Sequence, residues 1–431
     1  MTISNNDTLI KRRAKALGPG YYHFYEEPIQ MVRGSGAYLF DADGRKYLDA
    51  YNNVAHVGHC HPHVVDALHK QASILNTNTR YLHDTIITYA ERLGDTFPGD
   101  LSVCMFVCTG TEANDLAMRI ARVVTGNYGA IVTDNSYHGN STLVTDLSTC
   151  EYPTSEQPSY IATVEPPNTY RGTYRDGEND LGDKYSNLMD GAIEKLAANG
   201  HQPAAFMCDM VFDTNGGINA PVDYFKKSIA KIHKAGGMFI ADEVQPGFGR
   251  TGDFMWGFEA YDIIPDIVTM GKPMGNGHPM ACVVTTPAIA AEFAKKFHYF
   301  NTFGGNPVSA AVGMAVMDVL EGEHLQANAK KVGCYLATQL NQMKSTHHMI
   351  GKIHGKGLFI GVELVKDHDT LSPATKDAAL IRDEMKDEGV LMGVIGIDEN
   401  VLKIRPPMPF SIENADQLLT SLDTVLNQIP K

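Results

Sequence analysis

Four short groups of polar residues follow apolar segments of the chain, and their side chains could do chemistry together. The groups are Thr109-Gly110-Thr111-Glu112, Tyr137-His138-Gly139, Asp242-Glu243-Val244-Gln245 and Gly271-Lys272. A lysine desolvated at the end of an apolar strand can have a lowered pKa and act as a nucleophile toward a carbonyl group. A carboxylate at a buried strand end needs a cationic or hydrogen-bonding partner. Either residue alone is more often a surface charge, but Asp242 and Lys272 together predict one reactive site.

Gly110 and Thr111 stand at the predicted start of a helix. Free backbone N–H groups and the positive end of the helix dipole favour an anion there, and the threonine hydroxyl adds a donor. The same residues could form only a turn and a helix N-cap. Because three other polar groups accompany them, we expect a phosphate site.

The elements that position these groups alternate between apolar strands and amphipathic helices. Strands are predicted in SVCMFVC, YGAIVTD, AAFMCDMVF, GMFIADEV and DIVTMG, and helices are predicted from Glu112 and over residues 223–235. This alternation predicts the α/β class, with a mostly parallel sheet covered by helices on both faces. Ligands of such sheets bind at the carboxyl ends of the strands, where the four groups lie.

The two ends of the chain have a different pattern. Alternation of apolar and polar residues from Tyr38 to Tyr51 around Asp43-Gly44 predicts an N-terminal β-hairpin. A long helical stretch from Val308 onward precedes strands in GKGLFIGVELV and VLKIRPPM, which indicates a second, α+β lobe. The predicted divisions are 1–75 (a segment joining the small domain), 76–319 (the large ligand-binding domain) and 320–431 (the small domain).

Composition excludes several classes of protein. The 431 residues are 43% hydrophobic and 20% charged, and the net charge of -14 disfavours binding to nucleic acid. We find neither a secretion signal in MTISNNDTLIKRR nor an apolar stretch long enough to span a membrane. The seven cysteines include no Cys-x-x-Cys pair and are typical of reduced thiols. We expect a cytoplasmic protein without nucleic-acid or membrane partners and without a metal.

Several longer motifs occur in a fixed order. They are DADGRKYLDAYNNVAHVGHCHP, CTGTEANDLAMRIAR, DEVQPGFGRTG, DIVTMGKPMGNGHPMA, NTFGGNPVSAAVG and LKIRPPMPFS. This set resembles the class III aminotransferase family almost from end to end. The resemblance implies the pyridoxal 5'-phosphate (PLP)-dependent transferase fold type I, with a large PLP-binding domain and a small α+β domain.

The resemblance assigns roles around the cofactor ring. Lys272 would hold PLP as a Schiff base, and Asp242 would keep the pyridine nitrogen protonated so that the ring accepts electrons. Gln245 would contact the phenolic oxygen of the ring. Tyr137, with His138 beside it, would stack on the ring face.

The resemblance also assigns the phosphate contacts. Gly110 and Thr111 would bind the cofactor phosphate of their own subunit. Thr302 resembles the family residue that reaches the cofactor phosphate of the neighbouring subunit. A homodimer with shared active sites is therefore implied.

One departure from the family pattern bears on the reaction. Class III transaminases commonly place an arginine, paired with a glutamate, where this chain has Lys403 and Asp209. Lysine cannot form the planar two-pronged clamp on a substrate carboxylate that arginine forms. Arg405 is a second cation on the same face of this strand, by the period-2 alternation of strands.

Other motifs resemble a branch of the family that contains lyases. NNVAHVGHCHP, LNTNTRYLHD, MGNGHP and FNTFGGNPVS are similar to ethanolamine-phosphate phospho-lyase, 5-phosphohydroxylysine phospho-lyase and 1-hydroxy-2-aminoethylphosphonate ammonia-lyase. The resemblance implies 1,2-elimination, with Lys272 removing a proton from the amine-bearing carbon. We favour (R)-1-hydroxy-2-aminoethylphosphonate, giving phosphonoacetaldehyde and ammonia. The alternatives are loss of phosphate from O-phosphoethanolamine and ω-transamination with a keto-acid acceptor.

A phosphate- or phosphonate-bearing amine needs cations and hydrogen-bond donors of its own. The candidates are Arg80, Lys403, Arg405, His56 and Asn53. Arg80 could equally pair with the nearby Asp84.

Three other interpretations are weaker. Residues 247–252 (GFGRTG) fit a dinucleotide-binding pattern, but no clear helix follows them. The cluster of His56, His59, His61 and His63 could bind zinc or copper, but no Cys pair or carboxylate supports a closed site. A non-catalytic regulator of this fold would not need Lys272, Asp242 and Thr302.

Overall fold

The computed structural model describes residues 6–429, whose strands form three sheets. The strands are β1 (Met31–Ser35), β2 (Tyr38–Asp41), β3 (Lys46–Asp49), β4 (Val103–Val107), β5 (Gly129–Thr133), β6 (Ile161–Val164), β7 (Pro203–Asp209), β8 (Met238–Asp242), β9 (Ile267–Met270), β10 (Ala281–Thr285), β11 (Ile350–Lys356), β12 (Phe359–Leu364), β13 (Val390–Leu391), β14 (Gly393–Ile395) and β15 (Val401–Ile404). The α-helices are α1 (Asn6–Leu17), α2 (Pro62–Ala72), α3 (Asp84–Gly94), α4 (Gly110–Thr125), α5 (Thr142–Leu147), α6 (Leu181–Ala198), α7 (Tyr224–Lys234), α8 (Pro287–Ala294), α9 (Pro307–Gly322), α10 (Leu325–Met343), α11 (Thr375–Asp387) and α12 (Ile412–Gln428).

The largest sheet has seven strands in the order β4-β10-β9-β8-β7-β5-β6. Strands β5 to β9 pair in parallel, whereas β10 runs antiparallel to both β4 and β9. The α/β class with a mostly parallel sheet, expected from the sequence, is confirmed. Strands β6 and β10 are not among those that the sequence predicts.

Helices cover both faces of this sheet. In β7, Ala205 and Met207 pack with the apolar face of α4, while Phe206 and Cys208 point into the core that contains α6 and α7. Both faces of such strands are buried, which is why they appear in the sequence as continuous apolar runs rather than alternating ones. The sheet therefore holds the carboxyl ends of its parallel strands in fixed positions along one edge.

The small sheets combine both ends of the chain. Strands β11, β12, β15 and β14 form an antiparallel sheet, and β1-β2-β3 continues into β13, which pairs in parallel with β3. The N-terminal strands therefore join the C-terminal part of the chain through the pairing of β3 with β13. The exact divisions at residues 75 and 319 stay predictions, and residue 319 lies within α9.

The predicted hairpin is present as β2 and β3. Asp41 accepts hydrogen bonds from the backbone N–H groups of Asp43 and Arg45, and Gly44 adopts a left-handed φ of 85°. Within residues 6–429, no helix combines the length and apolar character that a membrane span requires.

Candidate active site

Three loops meet at the N-terminus of α4, because glycines let them approach closely. A Cβ added to Gly139, which has a φ of +138°, would lie 2.4 Å from Oγ1 of Thr111. A Cβ on Gly271 would lie 3.2 Å from the backbone nitrogen of Gly110. The hydroxyl of Thr109 caps the helix by accepting a hydrogen bond from the backbone N–H of Glu112. The backbone N–H groups of the first turn thus face a cradle suited to a phosphate.

Asp242 ends β8 and is held in a buried hydrogen-bond network. Its Oδ2 accepts hydrogen bonds from His138 Nδ1 (2.8 Å) and Asn114 Nδ2 (2.9 Å), and its Oδ1 accepts one from the Val244 N–H. Asn114 is itself held by the hydroxyl of Thr269, which donates to its Oδ1 at 2.6 Å. No lysine or arginine within residues 6–429 forms an ion pair with Asp242, so this buried carboxylate can accept a cationic ligand group.

His138 therefore contacts Asp242 directly and supports its carboxylate. Tyr137 is 42% exposed, and its stacking on the cofactor ring stays a prediction. Asn114 was not identified in the sequence. The available signal was a polar residue on the inward, alanine-rich face of a helix.

Lys272 follows β9 in a short 3₁₀ turn and is half-buried. Burial, followed by the positive charge of Arg405, lowers the pKa of Lys272, while the nearby carboxylates of Asp213 and Asp242 oppose this effect. A lysine with a lowered pKa is deprotonated more often and can form a Schiff base.

A group of charged and amide side chains lies close to Lys272. Lys403 and Arg405 are buried, and both approach the carboxylate of Asp213; the shortest Arg405 distance is 3.6 Å. Gln245 donates from Nε2 to Asp213 at 2.7 Å, and its Oε1 accepts hydrogen bonds from Arg405 and from Asn53. Asp213 was not identified as a site residue in the sequence.

The partner of Lys403 differs from the one that the family pattern suggests. Lys403 pairs with Asp213, and not with Asp209. The carboxylate of Asp209 instead accepts hydrogen bonds from the backbone N–H groups of Val211 and Asp213. Asp209 therefore shapes the turn after β7, and that turn presents Asp213 to the two cations.

His56 does not have the expected position as a hydrogen-bond donor to the substrate. It is fully buried, with Nε2 2.8 Å from the carbonyl oxygen of Phe248 and Nδ1 3.2 Å from the Arg250 guanidinium. Both ring nitrogens are thus engaged within the protein. Asn53 remains next to Gln245 at the edge of the site.

Arg80 and Thr302 are both exposed, and both belong to a surface region around Phe300. The Arg80 guanidinium lies over the ring of Phe300, 4.1 Å from its centre, and Thr302 is exposed two residues further on. Arg80 and Asp84 form no ion pair in the described part of the chain. This placement suits residues that face a second subunit.

The geometry contradicts the two weaker ligand interpretations. The GFGRTG turn leads into a short 3₁₀ helix (Gly257–Tyr261), and its Arg250 is buried against backbone carbonyl groups, so no dinucleotide site forms. The four histidines have separate partners: Phe248 for His56, Asp49 for His59, Glu323 for His61 and Asp318 for His63. No metal-type cluster of three or more His, Cys, Asp or Glu side chains occurs within residues 6–429.

The fold and the site together define a PLP-dependent enzyme of fold type I. The α4 cradle fits the cofactor phosphate, Asp242 fits a protonated pyridine nitrogen, and Lys272 fits the aldehyde. The buried Asp242 carboxylate without a lysine or arginine partner is the feature that most requires such a ligand.

The model of the family "Aminotransferase class-III" matches residues 21–426, and the chain belongs to that family. An alanine–glyoxylate aminotransferase 2-like protein of Drosophila melanogaster is 43% identical over 436 residues, covering 99% of this chain and 88% of the relative. Ethanolamine-phosphate phospho-lyase homolog 1 of Caenorhabditis elegans is 38% identical over 440 residues, covering 98% and 94%.

Solved structures agree with this assignment. A phospholyase from Arthrobacter in complex with phosphoethanolamine is 40% identical and has a TM-score of 0.94. The match covers 98% of this chain and 100% of the phospholyase chain. A PLP-bound amine transaminase from an uncultivated Pseudomonas species is 27% identical, with a TM-score of 0.86 and coverage of 94% and 96%. The cofactor is therefore PLP, while the family includes both transaminases and phospho-lyases.

Proposed function

We infer that this enzyme is a lyase that releases ammonia from a small amine bearing a phosphate or phosphonate group, without a keto acid. The first candidate is (R)-1-hydroxy-2-aminoethylphosphonate, whose net conversion gives phosphonoacetaldehyde and ammonia. The second is O-phosphoethanolamine, which with water would give acetaldehyde, ammonia and phosphate; the phosphoethanolamine complex of the Arthrobacter phospholyase favours it.

One observation carries the lyase proposal. The strand position at which transaminases of this family commonly place an arginine holds Lys403, which is buried and bound to a carboxylate of its own chain. Such a lysine does not offer the planar two-pronged clamp that holds a keto-acid carboxylate. A transaminase would require another anchor for its acceptor.

The residues of the chain have distinct tasks in this proposal. When bound, PLP supplies an electron-accepting ring next to the substrate amine. Asp242, oriented by His138 and Asn114, keeps a proton on the ring nitrogen. Lys272, with its lowered pKa, removes a proton from the amine-bearing carbon. Gly110 and Thr111 hold the cofactor phosphate at the start of α4.

We propose that the active site is completed by a second copy of the chain. Arg80, Phe300 and Thr302 lie in an exposed patch that also contains Leu82 (96% exposed) and Phe303 (69% exposed). An apolar patch of this kind suits a subunit interface. Arg80 would then supply a phosphate-binding guanidinium to the neighbouring site.

All seven cysteines are free, which is consistent with a reducing, cytoplasmic location.

The test is to measure ammonia and inorganic phosphate separately from each of the two amines, with no keto acid present. Ammonia without phosphate from the hydroxyphosphonate supports the first candidate, and ammonia with phosphate from phosphoethanolamine supports the second. The name of the Drosophila relative favours a transaminase as the alternative. Turnover that occurs only after pyruvate or 2-oxoglutarate is added would overturn the lyase proposal.

A further inference from the structure

Asp213 places a carboxylate of the protein itself next to Lys403 of β15 and next to Arg405, which directly follows that strand. Its carboxylate contacts Lys403 through Oδ1 and lies 3.6 Å from Arg405 through Oδ2. The side chains of Lys403 and Arg405 are each only 4% exposed, and that of Asp213 is 10% exposed. The three side chains are thus largely removed from solvent.

The turn that carries Asp213 is fixed from several sides. Asp209 accepts a hydrogen bond from the Asp213 backbone N–H at 2.6 Å, and Phe212 is buried with a left-handed φ of 50°. The side chain of Asn215 donates to the carbonyl oxygen of Asp134 at 2.8 Å. These contacts hold the carboxylate in place, so its position between the cations does not depend on a mobile loop.

The positive charges of Lys403 and Arg405 favour the ionised form of Asp213. Burial alone would raise the pKa of Asp213, but the charges of Lys403 and Arg405 hold it below its ordinary value. Burial, followed by the charge of Arg405, lowers the pKa of Lys403 to about 7. A substrate carboxylate that bound these cations would have to displace Asp213, which would leave a buried carboxylate without its partners.

We propose that Asp213 is a specificity-determining residue that occupies the place of a substrate carboxylate and thereby excludes amino acids and keto acids. This inference deepens the proposed lyase function and rests on it for the position of the substrate chamber. The inference also gives the cationic side chains different roles. Lys403 and Arg405 are neutralised by Asp213, while the exposed Arg80 is left to bind the phosphate or phosphonate group of the substrate.

The test is isothermal titration of the PLP-loaded enzyme with succinate, a dicarboxylate that cannot be transaminated. Asp213→Asn and Asp213→Ala should each bind succinate at least about tenfold more tightly than the wild type, because the freed Arg405 can form charge-assisted hydrogen bonds with it. Adding Arg405→Met to Asp213→Asn should remove that gain. Asp398→Asn, which disrupts an ion pair with Arg171 instead, is the matched control and should leave succinate binding unchanged.

Two outcomes would overturn the inference. One is an unchanged succinate affinity in an Asp213 variant that still has the visible absorbance of bound PLP. The other is a wild-type enzyme that already binds succinate with a Kd below about 1 mM. Failure of the lyase proposal would be recognised separately, since ammonia release from the two amines is measured on the wild type without succinate.

Discussion

The imidazole Nδ1 of His138 lies 2.8 Å from Oδ2 of Asp242, and both side chains are buried. This contact fixes the direction of the Asp242 carboxylate, which we propose faces the cofactor ring. In this arrangement the Nδ1–H group donates a hydrogen bond to Asp242. The Nε2 atom of the same ring has no hydrogen-bond partner within residues 6–429.

Replacing His138 with alanine should weaken PLP binding about tenfold or more, because a hydrogen bond to a charged group contributes roughly 1.5–3 kcal/mol. The measurement is titration of the PLP-free protein with PLP, followed by its visible absorbance near roughly 420 nm. His347→Ala is the matched control, since His347 forms a similar imidazole–carboxylate pair, 2.6 Å long, with Asp423 of α12. Equal losses of affinity in both variants would contradict a specific role for His138.

Gly139→Ala should also weaken cofactor binding, through sterics rather than charge. The new Cβ would lie 2.4 Å from Oγ1 of Thr111 and would displace the first turn of α4. The control is Gly191→Ala in α6, where a Cβ meets nothing within 4 Å. That change should raise stability by about 0.5–1 kcal/mol, because alanine favours helix interiors. Unaltered PLP affinity in Gly139→Ala would refute the proposed phosphate cradle.

Lys403 should make stability depend on pH. Its pKa is about 7 in the folded protein, against an ordinary value of 10.5. Between these values the unfolded chain binds a proton that the folded chain does not, so stability rises with pH through this window, by up to about 1.4 kcal/mol per pH unit. Lys403→Met should therefore show a smaller rise in its urea midpoint from pH 7.5 to 9 than the wild type.

The control for this comparison is Lys330→Met. Its hydrogen bond to Asp253 raises the pKa of Lys330, so folded and unfolded chains both keep that proton below pH 9. The variant should retain the full wild-type rise. A Lys403→Met protein with the same rise as the wild type would show that Lys403 keeps its proton in the folded state.

Mixed dimers should reveal whether Arg80 acts in the neighbouring subunit. Arg80→Ala should weaken the binding of a phosphorylated amine substrate while leaving PLP binding intact. Lys272→Ala should abolish turnover. Consider a dimer with one subunit of each kind. If Arg80 acts in the neighbouring site, the Lys272 of one subunit and the Arg80 of the other form one complete site, so co-expression should restore activity. If Arg80 serves its own subunit, neither site is complete and activity stays absent. The assay is ammonia release from the purified mixed dimer.

The sequence predicts the parts of the site that strand order determines. Asp242 and Lys272 end apolar strands, and parallel strands bring their carboxyl ends to one edge. Asn114 and Asp213 were missed because their importance depends on pairing across the fold: Asn114 reaches Asp242 from α4, and Asp213, in the turn after β7, pairs with Lys403 of β15. His56 was predicted as a substrate-binding residue, although both of its ring nitrogens have partners within the protein. Its position in a motif does not reveal which way its side chain points.

The sequence predicts most strands of the seven-stranded sheet, but not all of them. Strands β5, β7, β8 and β9 are continuous apolar runs and were recognised. The short apolar runs of β6 and β10 were missed, and the reversed direction of β10 could not be predicted because antiparallel pairing to β4 and β9 leaves no trace in the local sequence. The alternating pattern of helices and strands favours parallel neighbours and gives no signal for one reversed strand.

The pairing of β3 with β13 joins residues near the two ends of the chain. During translation, the β1-β2-β3 segment leaves the ribosome first, and β3 can pair with β2, but the other edge of β3 has no partner until residue 391 is made. At roughly 5–20 residues per second this interval lasts on the order of tens of seconds. The nascent chain therefore carries an open β-sheet edge, accessible to other polypeptides and to chaperones, until the small domain forms after the rest of the molecule.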